Sequence, residues 1–94
     1  IIDSAGTICN AADRLIEVGA RSVAAYITHG VLTGEALKRV EKSRLTELVV
    51  TNSINIGAKT SESAKLKILS IAPLLGEAIK RISEESSVSS LFEF

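Results

Sequence analysis

Ile1-Ile2-Asp3-Ser4-Ala5-Gly6-Thr7 (IIDSAGT) sets two β-branched apolar residues ahead of five small or polar ones. Directly after it, Ile8, Ala12, Leu15 and Ile16 fall at helical spacing, which predicts a helix over residues 7–18. Gly19 stands just past the last periodic residue, where a helix commonly ends in a left-handed conformation. A strand end, a tight turn of small residues and a helix is the start of a β/α unit. The chain begins on Ile rather than Met, which reads as the end of a buried strand and a fragment of something longer.

The same alternation continues. Residues 22–28 are β-branched and aromatic around two alanines, an apolar run suited to a strand covered on both faces of a parallel sheet. Thr28-His29-Gly30 closes it, and residues 34–42 form a short amphipathic crossover helix with Ala36, Leu37 and Val40 apolar. Residues 47–51 (ELVVT) make another strand, and residues 52–65, rich in Asn, Ser, Thr, Gly and Lys, a long surface loop. Residues 66–71 resume a strand, Pro73 suits the first turn of a helix, and Leu75, Ala78, Ile79 and Ile82 give that helix its stripe up to Glu84. The tail ESSVSSLFEF carries Phe92 and Phe94, which are expected to dock on an apolar surface. The fold class is therefore α/β, half of a doubly wound or Rossmann-like parallel sheet, whose ligands sit at the carboxyl ends of the strands.

Composition narrows the function. The 94 residues form one domain, 1–94, and a chain of that size buries only about 60 to 65% of its unfolded surface, too little for a large self-contained active site. Eleven basic residues balance 11 acidic ones, so no net field favours nucleic acid or an anionic membrane. Apolar runs stop well short of the roughly 18 residues a membrane span needs. A lone cysteine, Cys9, and a lone His29 give neither a disulfide nor a zinc cluster, which fits the cytoplasm.

Asp3, Ser4, Ala5, Gly6 and Thr7 are the best candidate site. Small residues let backbone amides approach an anion, and the helix N-terminus adds about half a positive charge. Asp3 would repel a phosphate but could accept from a sugar hydroxyl, which suggests a sugar phosphate. The alternative is that Ser4 or Thr7 merely caps the helix while Gly6 permits the turn. His29 lacks a nucleophile or carboxylate partner nearby in sequence and is read as structural. Cys9 is read as a packed, inert thiol. Lys38, Arg39, Lys42 and Arg44 are interspersed with Glu35, Glu41 and Glu47 and read as a solvated face. Lys80 and Arg81 complement the dipole of the last helix.

IIDSAGTICNAADRLIEVGA, AYITHGVLTGEAL, ELVVTNSI, LSIAPLLGEAIKRI and ESSVSSLF resemble, in order and spacing, the C-terminal part of the ribose-phosphate diphosphokinases. That resemblance implies the C-terminal half of a parallel-sheet, phosphoribosyltransferase-type domain. It implies that Asp3, Ser4, Ala5, Gly6 and Thr7 bind ribose 5-phosphate, with Ser4 in place of the family's more usual Thr. It also implies that Ser87, Val88, Ser89 and Phe92 contribute to an allosteric pocket for phosphate or ADP at a subunit interface. In that family a diphosphoryl group passes from ATP to ribose 5-phosphate with Mg2+, in a homo-oligomer built from dimers, commonly a hexamer. The acidic pair before the loop, the ATP site, the magnesium positions and the basic catalytic loop all fall outside this chain. Three alternatives stand beside the enzyme: a noncatalytic regulatory homologue, a phosphoribosyltransferase that consumes the activated sugar, and an unrelated half-Rossmann interaction module.

Overall fold

The computed structural model describes residues 1–57 and 63–92. The elements run α1 (Gly6–Glu17), β1 (Ala24–His29), α2 (Ala36–Lys42), β2 (Glu47–Thr51), β3 (Leu66–Leu69) and α3 (Ala72–Ser83), followed by a 3₁₀ turn at Ser89–Phe92. The three strands form a parallel sheet in the order β1-β2-β3. Ile2 adds a parallel bridge to Gly30 on the β1 edge, as the apolar start of the chain led one to expect.

Helix α1 ends where Gly19 allows it to. Gly19 takes φ 113, its N–H donates to Ile16 O at 3.1 Å, and the Ala20 N–H donates to Leu15 O at 3.0 Å. This paired closure satisfies two carbonyls that the helix itself leaves open. Cys9 and Ala12 on α1 and Ala36, Leu37 and Val40 on α2 are buried against Leu48, Val50 and Leu66 of the sheet, with Leu32 and Leu45 filling the same core.

Two expectations need correction. The strand at 24–29 is covered on one face only. Ala25 is buried and Ile27 half-buried, whereas Tyr26, on the opposite face beside Val49 and Lys67, is 72% exposed. α1 and α2 supply the cover, and α3, which would protect the other face in a doubly wound sheet, buries none of its residues. Leu75, Ile79 and Ile82 consequently stand exposed, and the radius of gyration is 16.2 Å where about 12 Å is typical of a compact domain this long. For the same reason Phe92, expected to dock, is 56% exposed, with Leu91 only half-buried. Phe94 lies outside the described residues.

The loop at 52–65 is also more than a surface connection at its far end. Ser63 is buried and its hydroxyl donates to Glu41 Oε1 at 2.6 Å, joined there by the Ala64 N–H at 2.9 Å. Lys65 Nζ donates to the carbonyls of Val40, Glu41 and Ser43 at 2.8–3.2 Å, supplying donors to the C-terminal end of α2. The Ser63 hydroxyl, with the backbone amides of Ala64 and Lys65 and the charge of Lys65 behind it, holds the Glu41 carboxyl below the ordinary carboxylate range despite some desolvation.

Candidate functional site

The loop at 3–7 begins at the carboxyl edge of the sheet. Ile2 donates its N–H to His29 O and accepts from the Val31 N–H, both at 2.9 Å, which fixes the point from which the loop departs. Ala5 then serves as the N-cap residue of α1 at φ 68, ψ 3, in the left-handed region, and no side chain caps the helix. The first bond that closes the helix is Cys9 N–H to Ala5 O at 3.1 Å. Since the first amides of an α-helix have no partner within it, those at the start of α1 are available to a ligand. Ser4 and Thr7 are exposed, and neither hydroxyl has a protein partner among the described residues.

The cap alternative is thus not what this geometry displays. Neither Ser4 nor Thr7 caps α1, and the unusual backbone belongs to Ala5 rather than Gly6. Residues 3–7 line a cleft of about 420 Å3 whose apolar walls include Ile2, Ile8 and Ile27, a size suited to a small metabolite. Its lining holds neither Lys nor Arg. Attraction for an anion therefore falls to amide dipoles and the helix terminus.

Two residues that sequence reasoning missed hold this loop. Thr33 donates its N–H to Asp3 O at 3.1 Å and its hydroxyl to Asp3 Oδ1 at 2.5 Å. Arg39 Nη1 donates to Ser4 O at 2.8 Å. Arg39 is exposed like the rest of the basic face, yet its guanidinium also holds the loop. Its only advance signal was its place on the short crossover helix, which the neighbouring glutamates obscured. Lys38 does behave as surface charge, lying 3.7 Å from Glu35.

His29 lies exposed at the end of β1, with Nδ1 2.8 Å from Ser53 Oγ. Ser53 Oγ also donates to Thr28 O at 3.2 Å, so the ring ties the ends of β1 and β2 together. Cys9 is buried, as expected of a packing thiol. Asp3 is the one carboxylate of the cleft, and among the described residues no three His, Cys, Asp or Glu side chains gather where they could hold a metal ion. The donors of the described residues therefore do not fit magnesium. Among the described residues no helix is long and apolar enough to cross a membrane.

The second candidate region is the tail. Arg81, read from sequence only as a complement to the helix dipole, bonds Glu77 Oε1 at 3.1 Å through Nε and Ser87 O at 3.1 Å through Nη1, and it also contacts the Ser90 hydroxyl. Ser87 Oγ and Ser89 Oγ lie 3.0 Å apart, and Val88 is half-buried. Arg81 thereby ties the backbone of Ser87 and the hydroxyl of Ser90 to the last turns of α3, while Phe92 remains exposed.

Over residues 1–93 the chain matches the family described as the phosphoribosyl synthetase-associated domain. It belongs to that family. Ribose-phosphate pyrophosphokinases resemble it across almost its whole length: the protein of Caulobacter vibrioides is 58% identical over 93 residues, 99% of this chain and 30% of the relative. That of Maricaulis maris is 56% identical over 91 residues, 97% of this chain and 29% of the relative. The chain spans about 30% of the length of these curated relatives. The crystal structure of phosphoribosylpyrophosphate synthetase from Mycobacterium smegmatis superposes with a TM-score of 0.84 at 39% identity, covering 90% of this chain and 28% of that one. The family membership bears out the resemblance read from the residues, and the parallel α/β fold is that of the phosphoribosyltransferase type.

Proposed function

We propose that this chain is the ribose 5-phosphate-binding part of a ribose-phosphate diphosphokinase, a transferase of nucleotide biosynthesis. The anomeric hydroxyl of the sugar attacks the β-phosphorus of ATP, the bond from that phosphorus to the α–β bridging oxygen breaks, and AMP leaves. The observation that carries the reading is the uncapped start of α1, with the exposed residues Ser4 and Thr7 beside it. There the amides of Gly6 and Thr7 and the two hydroxyls receive the 5-phosphate, and the Asp3 carboxylate accepts from a sugar hydroxyl. Mg2+ would offset the charge of the diphosphate in flight, held by residues other than those of this chain, which also leaves the ATP site to the rest of the enzyme. Identity of 58% to relatives named as pyrophosphokinases favours the enzyme over the alternatives. A cytoplasmic homo-oligomer built from dimers completes the reading.

Removing one donor tests the site. Thr7→Ala in the full-length enzyme should raise the KM for ribose 5-phosphate about fivefold, the worth of one hydrogen bond near 1 kcal/mol, and leave the KM for ATP within twofold. An unchanged sugar-phosphate KM would count against the assignment.

The tail is proposed as part of an effector site for phosphate or ADP, formed by Ser87, Val88, Ser89 and Phe92. Support comes from the paired hydroxyls of Ser87 and Ser89, held in place by Arg81. Ser89→Leu should shift the ADP inhibition curve at least fivefold, about 1 kcal/mol, with uninhibited turnover changed less than twofold. Superimposable inhibition curves would refute the effector site.

A further inference from the structure

We infer that Arg39, seconded by Thr33, is a positioning residue that holds the loop at 3–7 in its anion-accepting form. The inference rests on the proposed function, in which this loop takes the 5-phosphate. Arg39 stands on α2, whose Ala36, Leu37 and Val40 are buried and whose last carbonyls are gripped by Lys65. The stem of the side chain therefore springs from a fixed base. From there Nη1 reaches Ser4 O at 2.8 Å, while Thr33 binds both Asp3 O, at 3.1 Å, and Asp3 Oδ1, at 2.5 Å. The two peptide carbonyls ahead of Ala5 are each drawn onto a donor from residues 33–39.

These bonds decide what the loop presents to an anion. A carbonyl oxygen turned toward the cleft would repel a phosphate oxygen, whereas a carbonyl held on Arg39 or Thr33 leaves the approach to N–H groups. Ala5, at φ 68, is in a conformation that disfavours any residue with a Cβ. Left to itself this peptide would relax, so the conformation persists only if its neighbours enforce it. Arg39 is absent from the lining of the 420 Å3 cleft and present in the groove between α1 and α2, beside Gly6, Cys9, Asn10 and Asp13, so Gly6 borders both spaces and Arg39 only the second. It reaches the loop from behind. A planar guanidinium suits this task better than an ammonium, since its donors are fixed in direction.

Arg39→Met in the full-length enzyme keeps the aliphatic stem and removes the donor. The expected result is a KM for ribose 5-phosphate raised about five- to tenfold, with kcat and the KM for ATP within about twofold. Thr33→Val, which keeps the backbone donor and loses the hydroxyl, should raise the same KM about two- to threefold. The decisive variant adds Ala5→Gly to Arg39→Met. Glycine adopts the left-handed conformation without strain, so a loop that needed Arg39 to stay there should recover most of the lost affinity. A loss that Ala5→Gly does not relieve would make Arg39 a ligand of the phosphate itself and overturn the positioning role. If Arg39→Met and Thr33→Val both bind normally while Thr7→Ala does not, this inference falls and the site stands. If the parent enzyme shows no saturable dependence on ribose 5-phosphate, both fall.

Discussion

Gly6→Val is expected to raise the KM for ribose 5-phosphate about a hundredfold or more while leaving the melting temperature almost unchanged. The two halves of that expectation come from different observations. A Cβ built on Gly6 meets only Ser4 Oγ, at 3.9 Å, and Gly6 is not among the residues with positive φ. Among the described residues nothing beyond the adjacent backbone crowds a Cβ there. As the first residue of α1 it is also a position where valine is a better helix former than glycine, so stability should move by no more than about 0.5 kcal/mol.

The ligand meets a different situation. A phosphate oxygen bonded to the Gly6 or Thr7 amide must come within about 2.7–3.2 Å of the nitrogen, and a β-branched side chain on Gly6 fills the space it approaches through. Losing two charge-assisted bonds worth about 1.5 kcal/mol each gives the hundredfold figure. Steady-state kinetics with each substrate varied in turn, beside a thermal melt, would measure both halves. A folded variant with the parent's KM for the sugar phosphate would show that the phosphate does not approach the start of α1.

Much of this site was legible because its signals are local. Small residues between a β-branched pair and a helical stripe mark a strand–turn–helix start wherever they occur, and the boundaries of α1, α2 and β2 fell within about two residues of the pattern. The role of Gly6 was half legible: its small size keeps the cleft open, but the left-handed turn falls on Ala5, which carries no sequence signal for it. What stayed hidden depends on pairs far apart in the chain. Nothing near Arg39 announces Ser4, or near Thr33 announces Asp3, and the three cationic neighbours of Arg39 made the group look like ordinary solvated charge. The open face of the sheet was misread for a related reason. An apolar strand pattern says that a residue can be buried, whereas Tyr26 and the α3 stripe show that burial also needs a covering element, which the described residues do not place there.

Gly30 looked from sequence like simple punctuation after His29, and the structure gives it a stricter task. A Cβ on Gly30 would lie 3.0 Å from Val50 Cγ1, 3.1 Å from its Cβ and 3.2 Å from its Cγ2. Val50 is almost wholly enclosed in the core with Leu32 and Leu48, so it has little room to retreat. Overpacking of this kind costs about 1–3 kcal/mol for modest additions, and Gly30→Val should sit at the top of that range or beyond it. For a domain this size, 3 kcal/mol lowers Tm by roughly 10–20 °C. The damage should spread to the site. Gly30 pairs with Ile2, and the flanking His29 O and Val31 N–H hold Ile2 where the loop departs. Sugar-phosphate affinity and stability should therefore fall together in Gly30→Val, in contrast to Gly6→Val, where they part. Gly30→Ala with Val50→Ala provides the check, because the second change removes Cγ1 and Cγ2, two of the three atoms that the first one strikes, and leaves only the Cβ contact. The double variant should be less destabilised than the sum of the singles by at least about 1 kcal/mol. Strict additivity would mean that close approach to Val50 is not why glycine occupies this position.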